Sequence, residues 1–180
     1  MDEDLIFQMA REAESSNIRT VLDCKSNLKE EYIKEVKPYL IKFNKKAMDS
    51  YDERWDDISD LKTFASKYLD MGIKYVLIDL HEDGALLFNK NHYIYVDTKI
   101  LEKNHMLTNE ATDAFLAGFL TGLSKDYEEE RMMKLAYSSE LAVYTFGEIE
   151  KLNRKNIFDL RKNTKVRMHS DKSESKPKEE

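Results

Sequence analysis

Few side chains in this sequence have the type and surroundings for chemistry. Cys24 is the single cysteine, so no disulfide can form within the chain. It lies in the apolar run Thr20-Val21-Leu22-Asp23-Cys24, where a thiol reads as a small buried hydrophobe rather than a nucleophile. His81 closes a strand-like run and could be a ligand or a general base; a lone histidine at a strand end is more often a surface or hydrogen-bonded residue. His92 and His105 do not recur with acids at metal-site spacing, so no metal site is expected from them. Asp113 stands in the first turn of an apolar helical stretch, where an acid is favourable against the helix dipole in its own right.

The elements that would position these residues follow from periodicity and punctuation. Leu5, Ile6, Met9, Ala10 and Ala13 recur at helical spacing and predict an amphipathic helix over residues 4–15. A short β-type run covers Arg19 to Asp23. Asn27 with Glu30 predicts a capped helix over roughly 28–36, which Pro38 stops before a second short strand at Tyr39-Leu40-Ile41-Lys42. Ser59 is expected to cap a helix through Leu61, Phe64, Ala65, Tyr68 and Leu69 that ends at Gly72. Lys74 to Leu80 is the strongest strand. Asp83-Gly84 is a turn dipeptide, and the runs after it read as hairpins at one edge of a sheet. An apolar helix covers 110–123, with Gly118 and Gly122 expected to allow close packing against the sheet. A further helix runs over about 127–146. Alternation of this kind predicts an α/β layer with a largely parallel sheet, whose ligands sit outside the carboxyl ends of the strands.

Composition narrows the function classes. The chain has 180 residues, 41% hydrophobic and 36% charged, with a net charge of −6. That is enough for one domain with a sizeable core. An acidic chain without a basic block gives no footprint for nucleic acid and no reason to bind an anionic membrane surface. The acidic start lacks signal-peptide character, and no apolar run approaches the ~18 residues of a membrane span. Cysteine usage fits a reducing cytosol, so a cytoplasmic location is expected.

Three segments stand in order along the chain. The first is Thr20-Val21-Leu22-Asp23 with Lys37-Pro38-Tyr39-Leu40-Ile41-Lys42-Phe43-Asn44. The second is Val76 to Leu86, ending Asp83-Gly84-Ala85-Leu86. The third is Thr108-Asn109-Glu110-Ala111-Thr112-Asp113-Ala114-Phe115, continuing to Leu123. Together they resemble the C-terminal, nucleotide-binding half of a PfkB/ribokinase-type carbohydrate kinase, nearest the branch that phosphorylates fructose 1-phosphate or tagatose 6-phosphate. The resemblance covers roughly residues 4–147. It implies a ribokinase-like three-layer α/β/α fold over residues 1–160, with the N-terminal half and lid missing, and a disordered charged tail over 161–180. It also implies ATP and Mg2+ as cofactors, with Asp113 at the position of the catalytic base. Lys42, Asn44, Gly84, Glu110, Ala111 and Thr112 fall at nucleotide- or phosphate-binding positions, and no metal-ligating residue is implied.

Departures from the family pattern bear on whether ATP binding is retained. In the family a G-A-G-D loop lets backbone N–H groups approach phosphate at a helix N-terminus; here Glu110 and Thr112 replace its two glycines. The family's N-x-x-E becomes Asn44-Lys45-Lys46-Ala47. His81 replaces the glycine after the nucleotide-side strand. In Ser138-Ser139-Glu140-Leu141-Ala142, beside the adenine in the family, Glu140 stands where glycine is usual. The leading expectation is a degenerate or truncated kinase without phosphotransfer. A kinase completed by a partner chain and a non-catalytic interaction module are the alternatives. A sugar phosphate is expected to bind only if another chain supplies the missing half. The sheet edge left uncovered predicts self-association or a partner chain.

Overall fold

The computed structural model describes residues 3–25, 30–51, 55, 57–98, 108–146 and 153–170. The chain divides into two compact units, one comprising Met1–Ile78 with Phe88–Lys90, the other Asp79–Leu87 with Asn91–Glu180.

In the first unit, helix α1 (Glu3–Ser15) stacks Phe7 on Tyr32 at 4.9 Å between ring centroids. Tyr32 belongs to α2 (Glu30–Val36). Leu5 and Met9 of the predicted apolar stripe are instead 50% and 65% exposed. Strand β1 (Val21–Cys24) pairs in parallel with β2 (Leu40–Asn44), Val21 opposite Leu40 and Cys24 opposite Phe43. Every residue of β2 and of β3 (Tyr75–Asp79) is buried, as befits strands covered on both faces.

Asn44 ends β2 and caps the short helix α3 (Lys45–Met48). Helix α4 (Ile58–Asp70) opens at Asp57, not at Ser59. The Asp57 carboxylate accepts from Ser59 N at 2.7 Å and Asp60 N at 3.1 Å, while Asp60 reaches back to Asp57 N. This capping box commits the Ser59 N–H to the acid before it, so the cap falls two residues earlier than expected. Phe64 of α4 packs on Phe43 at 4.9 Å, Trp55 at 4.8 Å and Tyr68 at 5.1 Å, and this aromatic cluster is the centre of the unit. Gly72, at φ +96°, ends the helical segment in the left-handed conformation that glycine tolerates.

In the second unit, a 3-10 turn (His81–Asp83) leads through Gly84 into β4 (Ala85–Phe88) and β5 (His92–Asp97). Helices α5 (Asn109–Leu123) and α6 (Glu129–Phe146) pack on each other. The close approach expected between α5 and the sheet is found between the two helices. A Cβ on Gly118 would lie 2.8 Å from Ala136 Cα, and one on Gly122 would lie 2.9 Å from Met132 Cγ.

The predicted disordered tail is partly ordered. Helix α7 (Arg154–Arg161), capped by Asn153, runs into β6 (Lys165–Ser170), which pairs antiparallel with β5. Arg167 meets Asp97 at 2.7 Å and His169 stacks on Tyr93 at 4.7 Å. Backbone pairing and polar or stacking contacts hold this strand rather than deep burial, so hydropathy gave no sign of it. Residues 171–180 lie outside the described residues. The six strands form one mixed sheet in the order β1-β2-β3-β4-β5-β6. Among the described residues, no helix is long and apolar enough to cross a membrane.

Candidate functional site

The N-terminus of α5 carries four of the residues singled out from the sequence. Thr108 is the N-cap, and its hydroxyl oxygen accepts from Ala111 N at 3.2 Å. The Thr112 N–H points to Thr108 O at 3.4 Å, and its hydroxyl donates to Asn109 O at 3.0 Å. Thr112 is 1% exposed. Glu110 and Asp113 are exposed, and Glu110 places its charge in the first turn. The turn that would receive an anion thus has its Ala111 and Thr112 N–H groups engaged locally and its positive end faced by an acid.

The first unit accounts for two further residues. Lys42 is fully buried, 3.1 Å from Asp23 Oδ1. Asn44 accepts from Ala47 N at 2.8 Å, so its side chain serves the cap of α3. Near these residues, burial first and the Asp23 charge second push the Cys24 thiol up to about 12.

Gly84 belongs to the second unit and has φ +93°. A Cβ there would stand 2.3 Å from Val96 O, so glycine is required by both conformation and space. Tyr95 secures the same turn by donating its hydroxyl to Asp83 O at 2.7 Å.

The second unit also assembles a cluster that no sequence spacing revealed. Asp79 ends β3, His81 follows it in the turn at φ +60°, and Glu140 lies mid-way along α6. Asp79 and Glu140 are 0% exposed and His81 is 7% exposed. His81 Nδ1 lies 3.0 Å from Glu140 Oε1, 3.0 Å from the Tyr144 hydroxyl and 3.7 Å from Asp79 Oδ1. Tyr144 also donates to Glu140 Oε1 at 3.4 Å. The backbone is tied into the same group. His81 N donates to Asp79 Oδ1 at 3.1 Å, and the Tyr137 hydroxyl donates to His81 O at 2.8 Å. Burial first, then the neighbouring Glu140 and Asp79 charges, hold the Tyr137 phenol above its ordinary range, so it stays a donor.

His81 and Glu140 were each singled out as a departure from the family pattern. The structure brings these two departures into one hydrogen bond across 59 residues of sequence. Asp79, Tyr137 and Tyr144 carry no such sequence signal, because in isolation each reads as an ordinary strand or helix residue.

Comparison with known proteins agrees with this architecture. No protein-family model matches the chain. The 1-phosphofructokinase of Bacillus subtilis is 28% identical over 140 residues, covering 76% of this chain and 44% of that protein. An ATP-dependent 6-phosphofructokinase of Thermoanaerobacterium thermosaccharolyticum is 31% identical over 103 residues, covering 53% of this chain and 31% of that protein. The tetrameric inhibited form of Escherichia coli phosphofructokinase-2 superposes with a TM-score of 0.73 at 17% identity, covering 90% of this chain and 52% of that one. The chain spans less than half the length of the curated relatives it matches. With the ordered motifs and the mixed α/β sheet, these matches show that the chain is similar to the PfkB-type phosphofructokinases and has a ribokinase-like fold.

Proposed function

We propose that this chain is a non-catalytic counterpart of the nucleotide-binding half of a PfkB-type sugar-phosphate kinase, and that it does not transfer phosphate on its own. The observation that carries this reading is the first turn of α5. A phosphate-binding helix start needs N–H groups open to the ligand. Here Thr108 takes the Ala111 N–H and Glu110 sets a negative charge at the mouth. Phosphoryl transfer relies on positioned donors and electrostatics, and a carboxylate beside a polyanion opposes both. The His81–Glu140 pair supports the same reading. It places two bulky polar side chains at positions where the resemblance implies glycine.

A second reading, an active kinase completed by another chain, draws support from one feature. Asp113 is retained at the base position and is exposed. The first reading is tested by offering the purified chain MgATP with fructose 1-phosphate, fructose 6-phosphate or tagatose 6-phosphate. No phosphorylated product is expected. Turnover that disappears in Asp113→Asn would overturn the first reading. Calorimetry with MgATP tests the anion argument separately: Glu110→Gln should tighten binding several-fold by removing the repulsion. Equal affinity of parent and variant would show that Glu110 is not what opposes the phosphates.

A further inference from the structure

We infer that Asp79, His81 and Glu140 form a binding site for a divalent transition-metal ion, with zinc the best fit. One ligand atom from each of the three lies within 4.8 Å of the others, and all three residues are buried. Tetrahedral zinc with bonds of ~2.0–2.1 Å separates its ligand atoms by ~3.3 Å along each edge. The distances from His81 Nδ1 to Glu140 Oε1 and to Asp79 Oδ1, 3.0 and 3.7 Å, bracket that edge. The Tyr144 hydroxyl lies beside these ligand atoms, 3.0 Å from Nδ1 and 3.4 Å from Oε1.

Donor chemistry selects the ion. One imidazole nitrogen and two carboxylates suit zinc, whereas magnesium favours oxygen ligands and retains several waters, for which so buried a cluster has little room. Charge also balances: two carboxylates and a neutral imidazole neutralise one divalent ion, which matters where burial makes net charge costly. The supporting contacts resemble those that fix metal ligands elsewhere. The His81 N–H orients Asp79, the Tyr137 hydroxyl anchors the His81 carbonyl, and Tyr144 braces Glu140. This site is independent of phosphate binding at α5.

The test is calorimetric titration of the chelator-treated full chain with zinc, and with cobalt followed by visible absorption. One equivalent of zinc should bind, and cobalt should give the strong bands of tetrahedral coordination. Glu140→Gln should weaken zinc binding by at least ~10-fold, while His92→Ala and His169→Ala, outside the cluster, should leave it unchanged. Should Glu140→Gln not fold, the imidazole nitrogen resonances of the parent give the answer: zinc should shift those of His81 and spare those of His92 and His169. Absence of stoichiometric binding overturns the inference. So does binding that survives in folded Glu140→Gln, or that leaves the His81 resonances unmoved.

Discussion

Gly118 and Gly122 both lie on α5 where it meets α6, yet alanine should act differently at the two positions. In a helix interior, alanine gains ~1 kcal/mol over glycine by propensity alone. At Gly118 the new methyl would stand 2.8 Å from Ala136 Cα and 3.0 Å from Leu135 O. Both are backbone atoms, so α6 itself must move. Forcing a methyl into a packed interface costs ~1–3 kcal/mol, and immovable neighbours put this case at the upper end. The net result for Gly118→Ala is a loss of ~1–2 kcal/mol.

At Gly122 the nearest atom is Met132 Cγ at 2.9 Å, and Met132 Cα is at 3.2 Å. A methionine side chain can rotate away, so gain and cost nearly cancel, within ~0.5 kcal/mol. Thermal and urea unfolding followed by circular dichroism measure both variants. For a chain of this size the Gly118 change corresponds to ~2–8 °C in Tm. Because α6 carries Tyr137, Glu140 and Tyr144, Gly118→Ala should also weaken zinc binding. A Gly118→Ala protein as stable as Gly122→Ala, or more stable than the parent, would refute the claim that helix-to-helix contact fixes these glycines.

Three further outcomes are expected. Gly84→Ala combines φ +93° with a 2.3 Å approach to Val96 O, so it should destabilise by more than ~2 kcal/mol in urea unfolding; a neutral effect would show that the turn relaxes freely. The Cys24 thiol, raised in the folded chain to about 12 from 9.0, stays protonated while an unfolded thiol ionises. Its contribution to stability is therefore full below about 9 and falls as pH rises from 9.0 to about 12. Native Cys24 should resist a thiol reagent at pH 8 until denaturant is added, and rapid native labelling would contradict its burial. Finally, Leu5, Met9 and Ile18 are 50%, 65% and 62% exposed, so the chain should self-associate at tens of micromolar. Sedimentation should show Leu5→Lys with Met9→Lys shifting it toward monomer; a parent that is already monomeric rules this out.

The alternation of helices and strands was legible from the sequence because burial imposes periodicity. The runs Val76-Leu77-Ile78 and Ala111 to Leu123 announce themselves in this way. Strand β6 did not, since Arg167 and His169 hold its edge through Asp97 and Tyr93 rather than through an apolar face. The start of α4 was misplaced because two candidate caps, Asp57 and Ser59, lie two residues apart and only geometry selects the carboxylate. The α5 glycines correctly predicted close packing, but no local pattern says whether a helix or a sheet is the neighbour. At the candidate site, the motif order located the first turn of α5, and the departures flagged His81 and Glu140 one at a time. Their pairing depends on how α6 lies against the turn after β3, which sequence separation cannot encode.

The pairing of β5 with β6 has a consequence for synthesis. Asp97 and Lys165 face each other, but the chain between them includes α5, α6 and α7. A nascent chain emerging from the ribosome can form β5 and the α5–α6 hairpin while β6 is still unmade. During that interval the partner edge of β5 stays open, with its backbone groups available to another growing chain. Closure then waits on a long loop, although the entropic cost of length grows only slowly. Translation stalled before Lys165 should therefore yield chains with most of their helices formed but a tendency to stick at β5, and release of the last strand should end that vulnerability.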